Sequence, residues 1–458
     1  MKELLMTGVA VVAFGMIQPT VAFATSDSSK EPAKVAETKL FHARFKSDSA
    51  DNTYVVGAKA SIEATITDQS GKLVKEGVVE ISADDGWTNV LWRQTFDLSK
   101  TQTIKMEFSR NEPGSIRFHA KGLNFARYHN IDRVIFGVDG IRPLTPFPDD
   151  FEEYWRSEQK RLDREVPFDV EKTPARKLST KDSIVYRVSF PTFNGKRIYG
   201  LLSVPKGGGR HPAIINVPGA GPGWYALRSE ITRKGWITLM MNIHEFPVCS
   251  NKTEQVACYK KHLARLRKES GEPKYQRYGF GTGRREAPIY HDMVLGMVRA
   301  VEWLANEPYA DSSRFVYKGV SQGGGMGILL TALWGRFAKS AIYCPSMCDM
   351  LAYKYGREPG TPNIKDQTDD HRPLADMVAP YYDSCNFARL IKTPIRMAHG
   401  TRDDNCNTVA GIAAFNSLAS KDKSLIVLPD KGHPVWFKDE SSISEWLFDT
   451  EKTTGKQD

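Results

Sequence analysis

The chain has 458 residues, 41% of them hydrophobic and 26% charged, with a formal net charge of +9. That is the composition of a globular protein too long for one ordinary core, so at least two domains are expected and a fibrous or low-complexity chain is excluded. No Lys/Arg-rich run is interleaved with aromatics, so nucleic acid is not an expected partner; the modest positive charge fits solubility and tolerates an acidic polysaccharide.

Lys2 precedes an apolar run over residues 4–17, followed by Ala22-Phe23-Ala24. These are the parts of a secretory signal peptide, residues 1–24, and the run is too short to span a membrane comfortably. A secreted or periplasmic protein with no membrane partner is expected. Residues 25–37 are small and polar and read as a flexible leader.

Residues 38–140 change to alternation. Period-two strands are expected at residues 54–57, 60–67, 78–81, 103–108 and 115–120, separated by turn clusters such as Asp68-Gln69-Ser70-Gly71 and Asn111-Glu112-Pro113-Gly114. About seven short strands in about a hundred residues is the pattern of an immunoglobulin-like β-sandwich. It carries no constellation of reactive side chains and reads as a structural or oligomerisation module, with Trp87 and Trp92 as carbohydrate-contact candidates by residue type alone.

A proline-rich join over residues 141–148 leads into a second domain, residues 145–450. Asp149 or Asp150 is placed to cap a helix bearing Phe151, Tyr154 and Trp155 on one face. Strands are expected at residues 183–190, 196–204 and 212–217. The last of these runs into Pro218-Gly219-Ala220-Gly221-Pro222-Gly223. This Gly-rich loop lacks the Lys-Ser/Thr ending of a phosphate loop, but at the end of a strand its backbone can supply an oxyanion N–H, assigned here to Ala220. A strand over residues 235–243 ends in His244-Glu245, which are expected to line the mouth of the site as substrate-binding residues. Residues 246–287 are polar and poorly periodic and are expected to shape its entrance. An i, i+3, i+4, i+7 stripe of Val294, Met297, Val298, Val301 and Leu304 gives a helix over residues 290–307.

The apolar strand at residues 316–320 then enters Gly319-Val320-Ser321-Gln322-Gly323, with a helix-forming stretch after it. This is a nucleophile elbow: a strained strand-to-helix turn lifts Ser321 clear of the sheet and aims the N–H of Gln322 at a developing oxyanion. Strands at residues 394–399 and 424–429 each end in a loop bearing one further candidate. Asp403, with Asp404 as its rival, is placed to orient an imidazole, and His433 is placed to take the serine proton. The order Ser, acid, His is that of the α/β-hydrolase fold, with a mostly parallel sheet covered by helices.

All six cysteines lie in this half: Cys249, Cys258, Cys344, Cys348, Cys385 and Cys406. Cys249 with Cys258 is the favoured disulfide, and Cys385 with Cys406, or either with Cys344 or Cys348, is a weaker one. Their spacing does not resemble a zinc site, and neither metal nor cofactor is expected.

Pro148-Asp149-Asp150-Phe151-Glu152-Glu153-Tyr154-Trp155, the stretch 292–324 ending in Gly-x-Ser-Gln-Gly-Gly, and Tyr382-Asp383-Ser384-Cys385-Asn386-Phe387-Ala388 before Gly400-Thr401-Arg402-Asp403 together resemble the acetyl xylan esterase / cephalosporin C deacetylase family of carbohydrate esterases. The similarity runs over residues 148–444. It implies a Ser321, Asp403, His433 triad, oxyanion donors at Gln322 and Ala220, an acetylated carbohydrate as partner, and homo-oligomeric relatives. Where the family often carries Arg-Gly-Gln this chain has Asn242-Ile243-His244-Glu245, and where it carries a His-Gly-Tyr loop this chain has Pro218-Gly219-Ala220. The expected function is a secreted serine esterase deacetylating polysaccharides or oligosaccharides such as acetylated xylan through an acyl-enzyme. The alternatives are a prolyl-oligopeptidase-type peptidase, which would need a propeller of repeated blades, and a non-catalytic carbohydrate-binding protein.

Overall fold

The computed structural model describes residues 39–222, 235–242, 244–249, 251–433 and 441–449. The expected signal peptide and leader lie outside them. The described residues from Leu40 onward belong to one compact unit, and no helix among them is long and apolar enough to cross a membrane.

The first strands are β1 (Phe41–Ser47), β2 (Thr53–Tyr54), β3 (Lys59–Asp68), β4 (Val78–Asp84), β5 (Val90–Asp97), β6 (Thr103–Ser109), β7 (Gly114–Lys121) and β8 (Ile131–Phe136). They form two sheets, ordered β1-β3-β6 and β2-β8-β7-β4-β5. Alternation on β3 turns Ala60, Ile62, Ala64 and Ile66 inward, where they share a core with Ile81 and Ala83 of β4 and Phe118 of β7. The expected strand at residues 54–57 shrinks to two residues, and β1, β5 and β8 were not foreseen. β5 is mostly exposed and so shows no alternation, while β8 is buried throughout and carries Asp132 and Arg133 in its interior.

The larger sheet contains β9 (Glu171–Pro174), β10 (Ser183–Pro191), β11 (Arg197–Pro205), β12 (His211–Val217), β13 (Ile237–Asn242), β14 (Ala310–Val320), β15 (Lys339–Tyr343), β16 (Ile395–Gly400) and β17 (Lys423–Leu428). Its order is β17-β16-β15-β14-β12-β13-β11-β10-β9. Pairing is parallel from β13 through β12, β14, β15 and β16 to β17, and antiparallel among β13, β11, β10 and β9. β13 is buried on both faces, which is why it reads as a nearly continuous apolar run; β15 is buried likewise although it opens with Lys339 and Ser340.

The helices are α1 (Phe151–Glu165), α2 (Lys252–Ser270), α3 (Ile289–Ala305), α4 (Gln322–Trp334), α5 (Arg372–Val378), α6 (Ser384–Ala388), α7 (Thr408–Ser417) and α8 (Ser441–Phe448). The apolar stripe on α3 is buried as its spacing requires. α2 corrects the reading of residues 246–287 as irregular. Its caps are ordinary: the Asn251 side chain accepts from Glu254 N, and Gly271 closes the last turn at φ 71°. Weak amphipathy hid the helix between them. At the start of α1, Asp150 makes no capping bond; its carboxylate instead accepts from the Tyr381 hydroxyl and from Arg285 at 2.6 Å.

Candidate active site

Ser321 stands between the end of β14 and the start of α4 with φ 60° and ψ −122°, a backbone conformation a side-chain-bearing residue rarely holds. Two glycines make the turn feasible. A Cβ on Gly319 would fall 2.3 Å from Gly323 O, and one on Gly323 would fall 2.0 Å from Val217 O. The serine is thereby pinned between two parallel strands. As first residue of α4, Gln322 presents a backbone N–H that has no intrahelical acceptor.

The Ser321 hydroxyl lies 2.9 Å from His433 Nε2, and His433 Nδ1 lies 2.9 Å from Asp403 Oδ2. With Nδ1–H donating to the carboxylate, Nε2 is the basic nitrogen facing the serine. Asp403 is fully buried on the loop after β16, and its Oδ1 accepts from the N–H groups of Asn405 and Cys406, both at 2.9 Å. Burial alone would raise this carboxyl; hydrogen bonds from His399 and His433 more than reverse that and hold it well below the usual carboxylate range. Its rival Asp404 is turned to the surface.

The Gly-rich loop passes over the serine, since a Cβ on Gly219 would stand 3.3 Å from Ser321 Cβ and 3.8 Å from its Oγ. Ala220 follows on this loop and is exposed. The reading of His244 as a residue lining the mouth is corrected, while Glu245, read together with it, stays partly exposed. His244 is wholly buried, its Nε2–H donating to Gly221 O at 3.1 Å, with its ring packed among Phe246, Tyr259, His262 and Tyr275. Burial, with His262 adding, pushes its pKa down to about 3, so it is a neutral strut beneath the loop. Glu245 is tied to Lys196 at 3.1 Å and Arg265 at 2.7 Å. A strand end places a residue near the mouth of such a site but does not say which way its side chain turns.

Several supporting residues were not foreseen. Gln255 of α2 donates to Pro222 O at 3.1 Å, a second strap on the Gly-rich loop. The Tyr275 hydroxyl donates to Gln322 Oε1 and fixes that side chain. His399, at the end of β16, is buried with Nε2 2.7 Å from Cys406 O and 3.3 Å from Asp403 Oδ2. A Cβ on Gly411 of α7 would come within 2.4 Å of the His399 ring, so that helical glycine exists to admit it.

The loops bearing Asp403 and His433 are also held by the amino-terminal sheets. Asp132 of β8 accepts from Thr401 Oγ1 at 2.7 Å and Arg402 Nε at 2.9 Å. Arg402 continues to Asp430, three residues before His433. Arg133 donates to Asn407 at 3.4 Å, and Arg117 of β7 pairs with Glu358 at 2.7 Å.

Cys249 and Cys258, the favoured disulfide, are free thiols with their sulfurs 3.1 Å apart; Cys344, Cys348, Cys385 and Cys406 are buried. Among the described residues, Cys344, Asp403 and His433 form one cluster of metal-ligand type. Two of these three are already hydrogen-bonded to each other in the Ser321 series.

A family model described as acetyl xylan esterase (AXE1) matches residues 134–449. The chain belongs to the acetyl xylan esterase family. It is therefore a carboxylic ester hydrolase of the carbohydrate esterase kind. Acetyl esterase Axe7A of Xylanibacter ruminicola is 26% identical over 325 residues, covering 70% of this chain and 71% of that protein. Among solved structures, acetyl xylan esterase 1 from Thermoanaerobacterium sp. JW/SL YS485 superposes with a TM-score of 0.56 at 21% identity, over 68% of this chain and 96% of the other. The acetyl xylan esterase from Paenibacillus sp. R4 gives 0.56 at 19%, over 68% and 97%. These two similarities establish a shared α/β-hydrolase type of fold, and the family assignment covers the strands and helices that carry Ser321, Asp403 and His433.

Proposed function

We propose that this member of the family is an exported serine esterase that removes acetyl groups from the sugar hydroxyls of plant-type polysaccharides or their oligosaccharides, acetylated xylan foremost. The observation that carries the reading is the unbroken hydrogen-bonded series Ser321–His433–Asp403 on a strained turn. Ser321 Oγ attacks the acetyl carbonyl as His433 Nε2 takes its proton. The resulting oxyanion is met by the N–H of Gln322 and that of Ala220. The C–O bond to the sugar then breaks, the sugar oxygen leaves with the proton from His433, and an acetyl-serine remains. Water, deprotonated by the same histidine, attacks that ester and releases acetate, returning the proton to Ser321. Asp403 keeps the imidazole in one tautomer and stabilises its cationic form.

Export belongs to the same proposal and is supported by the signal-peptide pattern of residues 1–24. So does an immunoglobulin-like character for the two amino-terminal sheets, supported by their strand number and shared core. The reading leaves room for a homo-oligomer. The test is acetate release from acetylated xylan by the mature protein beside a Ser321→Ala variant, with a fall of at least roughly 10³-fold expected in the variant. An aryl acetate cleaved without any release from xylan would discard the polysaccharide; equal activity in the two proteins would discard the nucleophile.

A further inference from the structure

The amino-terminal sheets do more than brace the site from behind. The loop joining β7 to β8 carries Arg127 and Tyr128, and Tyr128 lies directly on the loop that bears the histidine. A Cβ built on Gly432 would stand 2.7 Å from both Cβ and Cγ of Tyr128 and 3.1 Å from Cδ2. Gly432 is the residue before His433, whose Nε2 is 2.9 Å from Ser321 Oγ. A side chain at 432 would expel the tyrosine.

Tyr128 is held in this place against its own preference. Its φ is 63°, a left-handed conformation that a bulky aromatic residue rarely adopts, and such outliers gather where a side chain must be aimed. The loop is pinned on both sides of it. His129 donates from its N–H to Ala126 O at 2.9 Å, and its carbonyl accepts from Ala43 N at 2.7 Å. The His129 ring stacks on His42 at 4.0 Å. A tyrosine kept for packing would be buried or would spend its hydroxyl on a protein acceptor. Tyr128 is half-buried, and its hydroxyl makes no hydrogen bond among the described residues. Arg127 is exposed, with its guanidinium 4.7 Å from the centre of the Tyr128 ring, and it too makes no hydrogen bond among them.

We infer that Arg127 and Tyr128 form a carbohydrate subsite at the rim of the Ser321 site, contacting sugar residues beside the one that carries the ester. An aromatic surface with a polar tip suits the C–H face and hydroxyl edge of a pyranose, and the guanidinium adds hydrogen-bond donors to the same edge. The inference rests on the proposed role of Ser321 and names the part of the chain that distinguishes a polymer-borne ester from a small one.

The test compares Tyr128→Ala, Tyr128→Phe and Arg127→Ala with the wild type on acetylated xylo-oligosaccharides and on 4-nitrophenyl acetate, with melting curves for each. For Tyr128→Ala the ratio of kcat/KM on oligosaccharide to that on aryl acetate should fall about tenfold, mainly through KM. Tyr128→Phe should keep most of the ratio, and Arg127→Ala should lose a smaller part. Loss of both activities in parallel would mean that Tyr128 only supports the loop, and an unchanged ratio would mean that it touches no substrate; either result overturns the subsite while leaving the proposed esterase standing. Aryl acetate hydrolysis that persists in Ser321→Ala, or a wild type inactive on oligosaccharide, would instead remove the reading beneath it.

Discussion

The buried pair Asp132–Arg402 joins the amino-terminal sheets to the loop of Asp403, and removing one partner should be costly. Asp132 is 1% exposed and Arg402 3%, with Nε and Oδ2 2.9 Å apart. In Asp132→Ala, Arg402 keeps only its second partner, Asp430, whose side chain is largely exposed. Leaving a buried charge uncompensated costs ~3–5 kcal/mol. With unfolding entropy near ~2.1 cal/mol/K per residue and the unit from Leu40 onward melting together, that lowers Tm by roughly 3–6 °C. Activity should fall further than stability, because Thr401 and Arg402 lead directly into Asp403 and a misplacement of about 1 Å can cost on the order of 10²-fold. Calorimetry and kcat on an aryl acetate measure both. The double variant Asp132→Ala/Arg402→Met removes both charges, and should melt above the temperature expected from the sum of the two single losses. The argument fails if Asp132→Ala melts within 1 °C of the wild type, or if the double variant loses the full sum.

Three other outcomes are expected. His399→Phe deletes a donor to a buried carboxylate, an interaction of ~1.5–3 kcal/mol, so kcat should drop by about tenfold or more with KM little changed; Gly411→Ala should act in the same direction by crowding the ring, and full activity in both would show His399 to be idle. His244→Ala frees Gly221 O and should lower kcat by roughly tenfold for small and large esters alike, since it acts through the oxyanion loop; a loss confined to large substrates would return His244 to the substrate-contact role. The third concerns pH. Burial would raise Glu158, but hydrogen bonds from His291 and Arg161 bring its pKa down to about 2; burial would lower His291, but its hydrogen bonds with Asp292 and then Glu158 raise it. Stability from Glu158 is present above the ordinary carboxylate range and is lost as pH falls through about 2; that from His291 is present below its ordinary value and is lost as pH rises through the raised one. Glu158→Gln should therefore flatten the acid limb of a Tm-against-pH curve, and curves that stay parallel below pH ~4 would contradict this assignment.

The three residues of the hydrogen-bonded series were legible because each sits at a strand end where chain geometry leaves little choice. Ser321 is announced by glycines that sterics demand, Asp403 follows the buried strand β16, and His433 follows the half-buried edge strand β17 with its apolar Leu425-Ile426-Val427-Leu428. What was not legible depends on side-chain direction. His244 stands at the end of a strand just as Asp403 does, yet it turns under the loop, and nothing in Asn242-Ile243-His244-Glu245 encodes that. His399 lies on a strand buried on both faces, where alternation carries no signal, and the close approach of Gly411 to its ring is visible only in the fold. β8 was missed for a related reason: Asp132 and Arg133 read as surface residues until their partners, two hundred residues and more downstream, are brought beside them.

The segment matched by the family begins at residue 134, inside β8 and just past Asp132 and Arg133. Ancestry and architecture therefore draw their borders in different places. A protein trimmed to the inherited segment would keep Ser321, Asp403 and His433 yet cut a strand in half and strand the Arg402 cation without its main partner. Any exchange of leading modules between relatives, by recombination or by design, would have to carry β8 along with the hydrolase, or re-invent an acid for Arg402 on the incoming piece.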